Sequence, residues 1–171
     1  FLALRYGNVL GSSGSVIPKF IQQIKSKEKI TITNLNMTRF SLTMDEALDF
    51  ILESINLGKG SEVFIPKLKA YSIEVLKESL FELLENTGEQ IISSRPGEKM
   101  HEILVNSDEI NYVWELDKKY ILFDSSKSEE QIKKNYPGIK KTELSDTYSS
   151  NTVEKITKDE LKKIILQSGF L

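Results

Sequence analysis

Residues 1–20 read FLALRYGNVLGSSGSVIPKF. Four apolar residues run into Arg5-Tyr6-Gly7-Asn8, then a Gly/Ser loop, then an apolar helix with Pro18 in its first turn. This is the order of a β-strand whose C-terminal end opens into a ligand site, because loops at strand ends carry binding groups on a rigid frame. A strand of this kind needs parallel neighbours, and none lies upstream. The chain therefore reads as the later part of a larger α/β protein, starting in mid-strand with no initiator Met.

Working outward, residues 16–27 (VIPKFIQQIKSK) place Ile17, Phe20, Ile21 and Ile24 at helical spacing. Residues 29–33 (KITIT) alternate and are rich in β-branched side chains, which predicts a short strand. Thr43-Met44-Asp45-Glu46 is a capping-box pattern, and the helix behind it should bury Ala47, Phe50, Ile51, Ser54 and Ile55. Residues 62–66 (EVFIP) form another strand, and Ser72 caps a periodic helix that Gly88 closes. Strand 89–93 leads into Arg95-Pro96-Gly97-Glu98. Beyond residue 100 the pattern loosens: a hairpin of 112–116 and 119–123 around Asp117-Lys118, a polar helix from Ser126 to Tyr136, and a last helix behind the capping box at Thr157. The small core is expected on the helices from Ser15, Thr43 and Ser72, with strands at 30–33 and 62–65. Strand 1–6 should keep one edge unpaired.

Composition excludes several classes. The 171 residues carry 23 Lys+Arg against 25 Asp+Glu, so there is no general basic footprint for nucleic acid. No apolar run approaches the ~18 residues that cross a bilayer, and no signal peptide is evident. The absence of Cys removes disulfides and thiolate chemistry and fits the cytoplasm. A single His, His101, argues against a histidine metal site or a Ser-His-Asp triad, and a structural hydrogen bond is its simplest role.

Three arginines stand at the ends of elements: Arg5 in RYGN, Arg39 in MTRF and Arg95 in RPGE. A guanidinium grips phosphate bidentately, and two that converge would match the charge of a diphosphate. Any one of them could equally be a solvated surface side chain. Asn8 suits a turn or a ligand amide contact, and GSSGS (11–15) is neither a Walker loop nor GxGxxG. Asp45 and Glu46 suit a helix cap better than an acid pair.

Taken together, RYGNVLGSSGSVIPKF, ITITNLNMTRFSLTMDEA and RPGEKMHE resemble, in order and spacing, the C-terminal half of the extended short-chain dehydrogenase/reductases that act on nucleotide sugars. Within them the likeness is strongest to UDP-N-acetylglucosamine 4,6-dehydratases (5-inverting) of surface polysaccharide biosynthesis, of the capsular and flagellin-glycan type. It is strong over residues 1–105 and weaker beyond.

The resemblance implies an α/β fold: the last part of a Rossmann domain in 1–14, a nucleotide-sugar-binding region in 15–105, and an extension in 106–171. It implies NADP or NAD as cofactor, with Tyr6 and Gly7 beside the nicotinamide and the remainder of the cofactor site, including the catalytic residues, upstream. For the UDP-sugar it implies Asn8, Ser15, Val16, Arg39 and Arg95 around the diphosphate. Thr31 and Thr33 would line the uracil and Glu98 would accept from the ribose. No catalytic residue is assigned within this chain, and alone it is expected to be inactive. The parent would be a cytoplasmic homo-oligomer with no nucleic-acid or membrane partner. A 4-epimerase, a retaining dehydratase or a non-catalytic nucleotide-sugar-binding module are the competing readings.

Overall fold

The structure, a computed structural model, describes residues 1–171. The first half of the chain runs β1 (Ala3–Leu4), α1 (Val16–Lys25), β2 (Ile30–Ile32), β3 (Thr38–Phe40), α2 (Met44–Leu57), β4 (Val63–Pro66), β5 (Ala70–Ser72) and α3 (Ile73–Leu83). The second half runs β6 (Glu89–Ile91), β7 (Ile103–Val105), a 3-10 turn (Ser107–Tyr112), β8 (Val113–Leu116), β9 (Lys119–Leu122), α4 (Glu129–Asn135), β10 (Lys140–Lys141), β11 (Tyr148–Ser149) and α5 (Lys158–Gln167). These elements sort into two compact units, each drawn from three separated stretches of chain.

One unit comprises Phe1–Gly7, Met44–Leu68 and Ile103–Ser149. Its sheet has the order β1-β4-β9-β8-β10. β1 runs parallel to β4, with Ala3 opposite Val63, and the remaining pairs are antiparallel. β1 stands at the end of this order, so one of its edges is unpaired, as expected. The β8–β9 hairpin forms despite lacking a glycine, because Asp117 itself takes φ +50°, a conformation Asp tolerates better than most residues. Trp114, Phe64, Ile121 and Phe50 fill the core of this unit.

The sequence placed the Thr43 helix in one core with the helices from Ser15 and Ser72. Instead α2 belongs here, since Phe50 packs with Phe64 and Trp114. At 100° per residue, Ala47, Phe50 and Ser54 share one buried face, while Ile55 falls outside it and is 57% exposed. Met44, Leu48 and Leu52 are likewise exposed.

Arg5 is committed within this unit. Its guanidinium donates to both carboxylate oxygens of Glu109, at 2.7 and 2.9 Å, and to the Leu104 carbonyl at 3.1 Å. The hydrogen bond from Arg5 holds the Glu109 carboxyl below its ordinary value. A carboxyl lowered by folding adds stability above its unfolded pKa and loses it as pH falls through the folded one. Glu109→Gln should therefore lower stability at pH 7 by less than ~1 kcal/mol, given the partial exposure of the pair. The difference should shrink as pH falls below ~4.3, the ordinary glutamate value, and close once pH has passed the lowered value of folded Glu109, where both side chains are neutral. Denaturant melts of the two proteins at pH 7 and pH 3 test this; a gap of the same size at both would exclude the ion pair as its source.

The other unit comprises Asn8–Thr43, Lys69–Glu102 and Ser150–Leu171. It carries two small pairs of strands, β2–β6 parallel and β3–β5 antiparallel, with α1, α3 and α5. Ile17, Phe20, Ile24, Leu76, Leu80 and Leu161 interlock in its core. The Ser72 hydroxyl accepts from the Val75 N–H at the start of α3, and Thr157 with Glu160 forms a complete capping box on α5. Lys158 and Lys162 of α5 both reach Glu82 of α3, and their hydrogen bonds lower its carboxyl to about 2.

Candidate functional site

The second unit contains a cavity of about 210 Å³. α1 presents its first turn there: Ser15 precedes the helix in extended conformation, and Val16, Ile17 and Lys19 follow on the cavity wall. The Ser15 hydroxyl is shielded from solvent, caps nothing and has no hydrogen-bond partner. A buried hydroxyl without a partner is costly, and a ligand oxygen would relieve it. The opening of a helix also favours negative charge.

The opposite wall comes from β2 and the turns that follow. Thr31 is held by Gln23, which accepts from the Thr31 N–H and donates to its hydroxyl, both at 3.2 Å. The RPGE turn is built as its residues dictate: Pro96 at the second position, Gly97 at φ +81°, and the Glu98 N–H donating to the Arg95 carbonyl at 3.0 Å. The Glu98 carboxylate closes the turn by accepting from the Arg95 N–H and from the Thr33 hydroxyl, each at 3.2 Å. This leaves the Arg95 side chain free of partners in the chain while its backbone is fixed.

Arg39 lies on β3, opposite Tyr71 of β5. It donates to the Thr38 carbonyl at 2.7 Å and to the Met100 carbonyl at 3.2 Å. Behind it, Thr38 Oγ1 bonds to His101 Nδ1 (2.8 Å) and to Ser150 Oγ (2.7 Å), and Glu102 accepts from the Phe40 N–H at 2.8 Å. His101 thus has the structural hydrogen bond expected of it. Burial raises the Glu102 carboxyl and pushes the Tyr71 phenol far above its ordinary value, so Tyr71 stays a protonated donor.

Asn8, Ser15, Val16 and Thr31 line this one cavity, as do Thr33, Arg39, Arg95 and Glu98. Three cations (Lys19, Arg39, Arg95) face a single carboxylate there, against a chain whose net charge is −2. Arg5 takes no part, and Tyr6 and Gly7 belong to the other unit, where the Tyr6 ring meets Phe50 edge-on at 6.2 Å. Lys19 and Tyr71 line the cavity without having been singled out in the sequence. Lys19 could have been found, four residues after Ser15 and so on the same helix face. Tyr71 could not, because its pairing with Arg39 joins two three-residue strands far apart in sequence.

A family model described as "Polysaccharide biosynthesis protein" (Polysacc_synt_2) matches residues 1–124. The chain belongs to this family. It is a family of extended short-chain dehydrogenase/reductases. Among the chain's relatives are proteins named UDP-glucose 4-epimerase from Rickettsia felis (34% identical) and Rickettsia massiliae (35%). Each aligns over 168 residues, 98% of this chain and 49% of the relative. The chain spans about half the length of the curated relatives it matches. The solved structure of Pen from Bacillus thuringiensis aligns over the whole chain and 50% of its own, with 36% identity and a TM-score of 0.85. UDP-N-acetylglucosamine 4-epimerase from Methanobrevibacter ruminantium M1, solved with UDP-N-acetylmuramic acid, aligns over 57% of this chain and 34% of its own, with 27% identity and a TM-score of 0.50.

The parallel partner of β1 is β4, which the chain reaches only after α1 and α2. No helix is long and apolar enough to cross a membrane.

Proposed function

We propose that this chain supplies the nucleotide-sugar-binding portion of an enzyme that works at C4 of a UDP-sugar, in its finer form a UDP-N-acetylglucosamine 4,6-dehydratase that inverts C5. One observation carries the reading: a cationic cavity lined by the residues that the RYGN, MTRF and RPGE segments bring together, with an unpartnered Ser15 hydroxyl in its wall. The volume, about 210 Å³, is below the ~300–1,000 Å³ of complete ligand sites, which suits part of a nucleotide sugar.

In this reading Arg39 and Arg95 take the diphosphate, with Asn8 and the first turn of α1 (Ser15, Val16) completing its hydrogen bonds. Thr31 and Thr33 lie along the uracil, and Glu98 accepts from the ribose hydroxyls with the lone pairs its turn leaves over. Tyr6 and Gly7 would border the nicotinamide. NAD(P)⁺, when bound by the whole protein, supplies a hydride acceptor for C4. The share of this chain is to hold the sugar in one orientation through its diphosphate, the contribution by which positioning lowers a barrier.

A second reading, a 4-epimerase, is favoured by the names of the Rickettsia relatives. Both begin with oxidation at C4 and diverge afterwards. The whole protein, incubated with UDP-N-acetylglucosamine, should give a 4-keto-6-deoxy product lighter by one water in a mass spectrum. A product of unchanged mass with inverted C4 would select the epimerase. No product and no UDP binding would sink both.

A further inference from the structure

The loop that connects Asn8 to Ser15 carries both ends of one cavity wall, yet little of its own holds it. Its backbone is tied by Leu10 N–H to the Leu42 carbonyl and by two turn bonds, Ser12 to Val9 and Ser15 to Ser12. Two glycines bend it, Gly11 at φ +74° and Gly14 at φ +78°. Gly14 faces open space on the cavity side, whereas a Cβ placed on Gly11 would overlap the ring of Phe170. Phe170 reaches this point because α5 ends at Gln167, with Ser168 as its C-cap, and Gly169 turns the chain at φ +71°. Its ring also lies in a recess with Pro18, Ile21 and Lys25, on the flank of α1.

We propose that Phe170 is a positioning residue for the nucleotide site: its ring, seated on the bare Cα of Gly11 and against α1, holds the 9–15 loop and the first turn of α1 in the binding conformation. The proposal rests on the nucleotide-binding reading of the cavity. Gly11 has two reasons to be glycine, its positive φ and the closeness of the ring. Phe170 is only half-buried and lies at the edge of the core rather than within it. Its loss should therefore loosen one loop more than it unfolds the unit. A loop held in its competent form only part of the time lowers apparent affinity by that fraction.

The test uses the whole protein with UDP as the probe, well below the melting temperature of every variant. Phe170→Ala should weaken UDP binding about tenfold, the drop for a loop competent about a tenth of the time. Amides 11–17 should exchange faster with deuterium while those of α3 do not change. Phe170→Tyr should restore both, and Phe170→Leu replaces the alanine variant if the latter does not fold. Ordinary edge packing predicts a lower melting temperature with unchanged affinity and unchanged loop exchange. For a protein that binds UDP, anything short of the joint loss of affinity and loop protection overturns the proposal. Should the wild type not bind UDP, the functional reading fails, and loop exchange alone then decides whether Phe170 holds the loop.

Discussion

Arg95→Ala in the whole protein should weaken UDP and UDP-sugar alike, by about tenfold to over a hundredfold, because the lost contact is to the diphosphate they share. The range corresponds to one charged hydrogen bond, roughly 1.5–3 kcal/mol. Arg95 is the cleanest of the three arginines for this purpose. Arg5 is consumed by Glu109 and Leu104, and Arg39 is tied to two backbone carbonyls. Removing Arg5 would disturb structure alone, and removing Arg39 structure as well as binding. Arg95 is exposed, and its turn is held by Pro96, Gly97 and Glu98 rather than by its own side chain, so its loss should leave the melting temperature unchanged. Arg95→Lys should recover part of the affinity, since an ammonium keeps the charge but not the planar fork. Titration of UDP against the three proteins decides it, and equal dissociation constants would remove Arg95 from the site.

The largest stability effect is expected at Trp114→Ala. Trp114 is 1% exposed, the bulkiest of the fully buried side chains, and sits on β8 inside the core of its unit. Truncating a buried aromatic to alanine costs ~3–5 kcal/mol, a large share of the ~5–15 kcal/mol that holds a domain folded. Part of the loss falls outside the cavity left behind. The Lys141 ammonium stands 4.4 Å from the centre of the Trp114 ring and that of Lys133 5.8 Å, each a modest cation–π attraction. Trp114→Phe should keep most of the packing and lose less. A urea midpoint for Trp114→Ala within error of the wild type would mean that β8 is not a keystone of its sheet.

Most single elements were legible because their signals are local. α1, α3 and α5 follow from apolar spacing and from Ser72 and Thr157 as caps; the RPGE turn follows from Pro96 and Gly97. The hairpin at Asp117 was legible from the two β-rich runs flanking it. α4 begins behind Ser128 rather than Ser126, because Ser128 and Gln131 complete the capping box. What the sequence hid is long-range. β3, β5, β7, β10 and β11 are two or three residues each and exist through pairing alone, so no periodicity marks them. The allegiance of α2 depends on Phe50 meeting Phe64 and Trp114, which spacing within a helix cannot reveal. For the site, Arg39 and Arg95 stood out as element-end cations, but that they line one cavity depends on β2, β6 and the turn beyond them. The binding roles of Asn8, Ser15, Val16, Thr31, Thr33 and Glu98 came from resemblance, and they remain proposals for the UDP titration to judge. Succession along the chain suggested blocks ending at 14 and 105, whereas compactness gathers stretches from all along it.

That interleaving has a consequence for how the protein is made. The chain passes between the two units five times, between six alternating segments. During synthesis at ~5–20 residues per second, the first unit lacks Trp114, Ile121 and Ile139 until its third segment leaves the ribosome. The second lacks Leu161 and Ile165 until later still. Half-built apolar faces from both units are therefore exposed in the nascent chain, a state prone to aggregation. For the same reason no single cut in the gene yields either unit alone, and a truncation anywhere before α5 withdraws material from a core whose other pieces have already been translated.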